Sequence, residues 1–230
     1  MMKLDKFIEG ENLDLCIPTE KFASQSDWYS WFNDKKIVKY SEYGLYPNTR
    51  EEQKKFLNKS ENRLILMISI KNKFDYIGTI SLSKINYKKK NCHIALVLNT
   101  NKEYNPFIPL ESIALMTEHA FEKLSMNLIS AGQHVNLHKW QNMMELVGYK
   151  LEGLHKNTFI KGFEISDSFW VSCQLDDYIL LKKNRGRLWD GTNKIKNRLM
   201  KKRKIRSYSN FLKGIYKNER KKYYQKVFNL

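Results

Sequence analysis

Three β-rich runs follow one another with only short polar breaks: Leu64–Ile70, Tyr76–Ile85 and Cys92–Leu98. Lys71-Asn72-Lys73 and Tyr87-Lys88-Lys89-Lys90-Asn91 fill the breaks, and solvated residues between apolar runs dictate hairpin connections. An antiparallel meander is therefore the nucleus that any fold of this chain must accommodate. A helical stripe follows, formed by Ile113, Leu115, Met116, His119, Ala120 and Leu124, and then a short strand at Leu128–Gly132. Strand, helix and strand on one sheet close as a right-handed crossover, which places a parallel pair in the middle of the sheet.

The flanks extend this plan. Asn12–Pro18 alternates apolar and polar positions and reads as a first strand, and Ser26-Asp27 caps a helix carrying Trp28, Trp31 and Phe32. Thr49 with Glu52 matches a capping box for a helix running to about Lys59. Residues 99–109 read as a polar loop. His138–Val147 reads as a helix stopped by Gly148, and Tyr149–His155 and Ser168–Leu175 as two closing strands. The order is β-α-α-β-β-β-α-β-α-β-β, without an internal repeat. It predicts an α/β (mixed α+β) fold with a mostly antiparallel sheet of about six to seven strands and about four flanking helices.

At 230 residues and 42% hydrophobic content the chain can build a core, and one domain with an appendage is expected. No apolar run approaches the ~20 residues that span a bilayer. The N-terminus lacks a secretory pattern, so a cytoplasmic location is expected. Cys16, Cys92 and Cys173 are widely spaced and lie in apolar runs, which favours buried reduced thiols over disulfides or a zinc site. The net charge of +17 is concentrated: residues 181–230 hold 18 Lys+Arg against Asp190 and Glu219, and residues 1–180 are nearly neutral. The chain thus divides into a body, residues 1–182, and a basic, helical C-terminal extension, residues 183–230.

Several phrases, in this order, resemble the GCN5-related N-acetyltransferase (GNAT) superfamily, in particular its branch of ribosomal-protein N-terminal and amino-sugar N-acetyltransferases. Asp27-Trp28 through Phe32-Asn33-Asp34-Lys35-Lys36-Ile37-Val38-Lys39-Tyr40 is similar to that branch's first-helix phrase. Thr49-x-x-Glu52 through Phe56-Leu57 resembles its second helix, and Tyr76-Ile77-Gly78-Thr79-Ile80 its third strand. Glu111 through Leu124 with Asn127-Leu128-Ile129, and Glu145-Leu146-Val147-Gly148-Tyr149-Lys150-Leu151-Glu152-Gly153, resemble later phrases, so the likeness covers roughly residues 10–182. It implies a splayed parallel strand pair holding acetyl-CoA, or another acyl thioester, as co-substrate, a small-molecule primary amine as acceptor, and no metal.

The family cradles the coenzyme A diphosphate on a glycine-rich loop at a helix N-terminus, because phosphate oxygens must reach backbone N–H groups. The corresponding stretch here, Glu103-Tyr104-Asn105-Pro106-Phe107-Ile108-Pro109-Leu110, has no glycine, and its two prolines remove two donors. Either the loop binds differently, or the donor is not ordinary acetyl-CoA, or the site has decayed. Asn136 lies one residue early for the family's fourth-helix Asn, and Met144 stands where a Tyr general acid is often found.

Acyl transfer to an amine needs a polarised thioester carbonyl, a positioned neutral amine and a route for its proton. By resemblance the thioester lies beside Leu96, Val97 and Leu98, with Asn105, Phe107, Ile108, Asn136 and Trp140 on the donor side. His93, where relatives often carry a Glu, and His134 at the end of the fifth strand are the candidate proton acceptors, with partly buried structural histidines as the alternative for both. His119 on an apolar stripe reads as packing. Trp31, Tyr40 and Tyr46 can line an acceptor pocket whose flat walls suit sugars or nucleobases, a nucleotide-linked amino sugar for instance, with ordinary helix-to-sheet packing the alternative for the tryptophans.

The extension interleaves Lys201-Lys202-Arg203-Lys204-Ile205-Arg206 and Arg220-Lys221-Lys222 with apolar Ile195, Leu199, Tyr208, Phe211, Leu212, Ile215 and Tyr216 at helical spacing, Gly214 weakening the second helix. An anionic membrane surface, an acidic protein such as an acyl carrier, and docking on the body all fit, nucleic acid less well. Three functions follow: an N-acyltransferase acting on a primary amine, a catalytically degenerate binding module of the same fold, or a component associated with a surface through its tail.

Overall fold

The computed structural model describes residues 2–58, 62–73, 75–205 and 207–229. Its strands are β1 (Lys6–Glu9), β2 (Leu13–Cys16), β3 (Leu64–Ile70), β4 (Tyr76–Asn86), β5 (Asn91–Leu98), β6 (Leu128–His134), β7 (Lys150–Lys161) and β8 (Glu164–Gln174). Among the described residues they form one eight-stranded sheet, ordered β1-β2-β3-β4-β5-β6-β8-β7. Every neighbouring pair is antiparallel except β5 and β6, the pair joined by the crossover. The sheet is larger than the six to seven strands expected because β1 is a short edge strand, four residues long, with too little apolar alternation to announce itself. The closing hairpin is also longer: β7 and β8 pair to Lys161 and Glu164.

Side-chain parity separates two cores. Leu66 and Ile68 of β3 join the main cluster, whereas Ile65 and Met67 join a second cluster on the opposite face, as the period of two requires. The first face is covered by α4 (Ile108–Glu122) and α5 (His138–Met144), with a 3₁₀ turn at Glu145–Val147 ending on Gly148 at φ +99°. On the second face Phe22 and Ala23 of α1 (Glu20–Gln25) and Trp28 and Trp31 of α2 (Trp28–Trp31) are fully buried. α3 (Arg50–Asn58) packs beside α1, its start capped by Thr49 Oγ1, which accepts from Glu52 N at 3.1 Å. The expected helix end at Lys59 lies outside the described residues.

Two expectations are corrected here. α1 was not legible as a separate helix; Thr19 starts it, its hydroxyl accepting from Phe22 N at 3.1 Å. α4 begins inside the stretch read as a polar loop, five residues before the apolar stripe. Pro109 stands in its first turn, where no N–H is needed, and an Asx turn at Asn105, whose Oδ1 accepts from Phe107 N, leads the chain into it, so the prolines open a helix instead of closing a loop. Glu111 in that turn is fully buried, and its carboxylate accepts from Asn12 N at 3.2 Å and Asn12 Nδ2 at 2.8 Å, which offsets its desolvation. Gly10 makes this approach possible, since a Cβ there would meet Glu111 Oε1 at 2.5 Å.

The C-terminal residues form α6 (Leu175–Arg185), α7 (Thr192–Lys202), α8 (Tyr208–Gly214), a π turn (Ile215–Glu219) and α9 (Arg220–Val227). α6 runs straight through the boundary placed between residues 182 and 183. Leu188, Trp189 and Ile195 are buried in the main core. Glu11 Oε2 ties the α6–α7 loop to the body, accepting from Trp189 Nε1 at 2.8 Å and Thr192 N at 2.9 Å. α7 then pairs Lys202 with Glu145, while Ser207 donates to Asn142 Oδ1 at 2.9 Å and Lys213 to the Val135 carbonyl at 3.2 Å. The extension therefore clasps α5 from two sides. Gly214 does not interrupt its helix, and residues 217–229 are exposed throughout. Arg206 of the basic run lies outside the described residues.

Candidate active site

The parallel ladder between β5 and β6 is short. It pairs Asn91 with Leu128, Cys92 with Ile129 and His93 with Ser130, and stops there. On its other edge β5 continues with β4 as far as the Leu98–Gly78 pair, and β6 continues with β8 to the His134–Ser168 pair. Each strand follows the twist of its outer neighbour, so the two part and leave a wedge. Beyond the fork Ala95 and Gly132 are exposed and Leu96, Val97 and Leu98 are half-buried.

His93 sits at the base of this wedge. Its Nε2 accepts a hydrogen bond from Gly132 N at 3.2 Å, which assigns the ring proton to Nδ1. Burial, assisted by the Lys84 charge, pushes the imidazole below its ordinary range and keeps it neutral. A neutral imidazole is chemically suited to receive a proton from an amine once Nε2 releases the Gly132 N–H that now occupies its lone pair.

His134 is placed differently. Its side chain is fully buried, Nδ1 accepts from Asn136 N at 3.1 Å, and Nε2 lies 3.1 Å from Glu164 Oε1. The ring packs between Tyr40 at 4.7 Å and Phe159 at 4.6 Å between centroids. Both nitrogens are thus committed, one of them to capping the 3₁₀ turn Val135–Leu137. Lys161 Nζ pins the aromatic loop above it through the carbonyls of Val38 at 2.8 Å, Ser41 at 3.1 Å and Tyr43 at 2.7 Å.

The donor-side residues divide likewise. Leu96 and Leu98 pack against the main core and Val97 against the second, which leaves their backbone as the wall of the wedge. Phe107 and Ile108 are buried at the head of α4, Trp140 is half-buried on α5, and Asn105 and Asn136 are exposed. The wedge fits an extended thioester arm. The head of α4 does not fit the usual diphosphate cradle: Phe107 N donates to Asn105 Oδ1 and Ile108 N to Asn105 O, each at 3.0 Å, and Pro109 has no N–H. Cations stand nearby instead, with Lys196 of α7 at 5.8 Å from the Phe107 ring.

Of the acceptor-side candidates, Tyr40 touches His134, Trp31 is buried in the second core, and Tyr46 is 85% exposed on the loop. The sequence reading assigned no role to Trp170 or His155. Trp170 stands beside His93 and Gly132, and His155 stacks on Trp170, at centroid distances of 5.7 Å for His93–Trp170 and 5.6 Å for His155–Trp170. The signal was available: Gly132 is a glycine within a strand, and Trp170 has the parity opposite to the core residues Phe169 and Val171. The three thiols are buried and pushed up by burial, to about 12 for Cys92 and Cys173 and about 11 for Cys16. Among the described residues no group of three or more His, Cys, Asp or Glu is placed to hold a metal ion.

The sequence model of the acetyltransferase (GNAT) domain matches residues 21–150. No curated protein matches by sequence. Solved structures with the same fold include the Microcin C7 self-immunity acetyltransferase in complex with acetyl-CoA and AMP (22% identity, TM-score 0.60, covering 72% of this chain and 94% of that one). A ribosomal L7/L12 alpha-N-protein acetyltransferase in complex with coenzyme A is similar at 14% identity and TM-score 0.66, covering 75% and 99%. A chimera of the Vibrio cholerae spermidine N-acetyltransferase with hSSAT is similar at 15% identity and TM-score 0.62, covering 74% and 99%. The forked strand pair, the crossover helix and the matched domain together place the chain: it belongs to the GNAT acetyltransferases.

Proposed function

We propose that this chain is an N-acetyltransferase that moves an acetyl group from acetyl-CoA to a primary amine approaching over the open face of the sheet. The observation that carries this reading is the parting of β5 and β6 at the His93–Ser130 pair, which leaves a wedge walled by backbone. Acetyl-CoA supplies the acyl group as an activated thioester. The β5 backbone around Val97 would orient the arm, and His93 Nε2, giving up its Gly132 bond, would take the proton the amine loses as its C–N bond forms, while the C–S bond breaks and the departing coenzyme A thiolate takes up a proton from solvent. Among small amines, a nucleotide-linked amino sugar is preferred. Acetyl-CoA and AMP together in one structural neighbour support a nucleotide-bearing acceptor, whereas spermidine in the name of another supports a simple polyamine.

One observation favours a second reading, a degenerate binding module: Asn105 occupies the amides that ordinarily receive diphosphate at the head of α4. Calorimetry with acetyl-CoA, followed by a thiol-release assay over a panel of primary amines, separates the two. Micromolar binding with turnover of at least one amine is expected. Failure to bind any acyl thioester removes the enzymatic reading. The exposed end of the extension, carrying Lys217, Arg220, Lys221, Lys222 and Lys226 against Glu219, is proposed to rest on an anionic surface, which would make the enzyme peripheral at a membrane in the cytoplasm.

A further inference from the structure

On the face opposite α4 and α5, at the foot of the wedge, one indole lies among two imidazoles. Trp170 of β8 is registered against Gly132 of β6 and Gly153 of β7, so both of its cross-strand neighbours lack a side chain. A Cβ on Gly132 would meet Trp170 Cζ3 and Cε3 at 3.2 and 3.3 Å, so the benzo edge of the indole rests on the Gly132 backbone. His155 is exposed and parallel to the indole, at 4° between planes and 5.6 Å between centroids. At that separation parallel rings are laterally offset, so part of the indole face is left uncovered. His93 stands on the other side at 5.7 Å and 45°. Trp170 itself is half-buried where the core residues beside it, Phe169 and Val171, are fully enclosed.

A large aromatic surface beside the proton-accepting group, flanked by two imidazole rings and faced across the sheet by two glycines, matches a planar nitrogen heterocycle. Stacking supplies affinity and the imidazoles supply hydrogen-bond partners at the ring edge. We propose that Trp170, with His155 and His93 at its edges, is an acceptor subsite that stacks a nucleobase-type ring and so delivers the acceptor's amine to the fork. This rests on the acetyltransferase reading and narrows its acceptor to molecules with such a ring. Trp170 and His155 act here by binding; they are not assigned a step in the chemistry.

The test uses the full chain with AMP, UMP and ribose 5-phosphate as probes, followed by calorimetry and tryptophan fluorescence, with acetyl-CoA titrated separately. AMP and UMP are expected to bind and quench fluorescence, and ribose 5-phosphate is not. Trp170→Ala is expected to weaken nucleotide binding by about 10-fold or more, with acetyl-CoA affinity unchanged. Trp170→Leu, which keeps bulk without an aromatic face, should show the same loss and serves if the alanine variant melts early. Trp170→Phe should retain most of the affinity. Nucleotides that fail to bind the wild-type chain, or that bind the Leu and Ala variants as tightly, overturn the subsite. Loss of acetyl-CoA binding by the wild type would remove the acetyltransferase reading while leaving the stacking result to stand or fall by itself.

Discussion

His93 Nε2 and the backbone N–H of Gly132 meet at 3.2 Å across the point where β5 and β6 part. One side chain thus marks the last rung of the parallel pair and commits its lone pair to the neighbouring strand until that bond is released. His93→Gln and His93→Ala are expected to lower turnover by about 100-fold, within the range of general base loss, with a native circular dichroism spectrum. A wild-type rate in either variant would end the assignment.

The pH dependence has a definite sign. Burial and Lys84 depress the folded-state pKa of His93, so the ring is neutral at pH 7 and kcat/KM should fall as pH drops below about 6.5 through that depressed value. Between the two pKa values the unfolded chain binds more protons than the folded one, so stability also declines as pH falls below about 6.5. His93→Gln should flatten the fall of Tm between pH 7 and 5 measured by calorimetry. An unchanged slope would show that His93 contributes nothing to it.

The nearest neighbour of Gly78 is backbone, which cannot swing aside. A Cβ there would lie 2.6 Å from the Val97 carbonyl oxygen and 2.9 Å from Leu98 Cδ2. Gly78→Ala is expected to destabilise the chain by about 2–3 kcal/mol, the cost of overpacking, and to weaken acetyl-CoA binding by displacing the donor wall. Chemical denaturation and calorimetry check the two effects together.

Asn105 closes the head of α4 through its side-chain oxygen on Phe107 N. Asn105→Ala should cost about 1 kcal/mol, as the loss of one hydrogen bond does, and lower Tm by roughly 2–4 °C for a chain of this size. A thermal melt decides it, and an unaltered Tm would mean that the turn is idle.

Truncation distinguishes the two halves of the extension. Removing residues 217–230 discards side chains that are exposed throughout the described part, so Tm should stay within about 2 °C while retention on heparin or anionic vesicles falls sharply. Removing everything after residue 183 takes away Leu188, Trp189 and Ile195, each fully buried. At about 2–5 kcal/mol apiece, that loss exhausts the stability of an ordinary domain and should yield insoluble protein. A soluble, cooperative body from the shorter chain would refute the clasp.

The meander and the crossover helix were legible because alternation, turn chemistry and the order of elements all pointed the same way, whereas the fork was expected only from the family resemblance. The runs at 64–70, 76–85 and 92–98 match β3, β4 and β5 to within one residue at each end. β1 was not, since four residues with two lysine and glutamate ends carry no periodic signal and owe their strand to pairing with β2. The head of α4 was hidden because prolines mark helix starts as readily as loops, and the Asn105 turn that leads into the helix is seen only in the structure. Site residues were legible as types in a strand but not as partners. His93 and His134 look alike in sequence, and their difference lies in contacts with Gly132, Glu164 and Asn136 from other elements. Trp170 escaped because its meaning depends on two glycines across the sheet, at 132 and 153.

Ile195 completes the main core from α7, beyond the last strand of the sheet. A polypeptide still emerging from the ribosome therefore holds its sheet and crossover helix with an apolar flank uncovered until α7 has also emerged. Such a chain depends on late closure, and substitutions in α7 that slow docking should show first as lost yield during expression at high temperature, before any change in the purified enzyme.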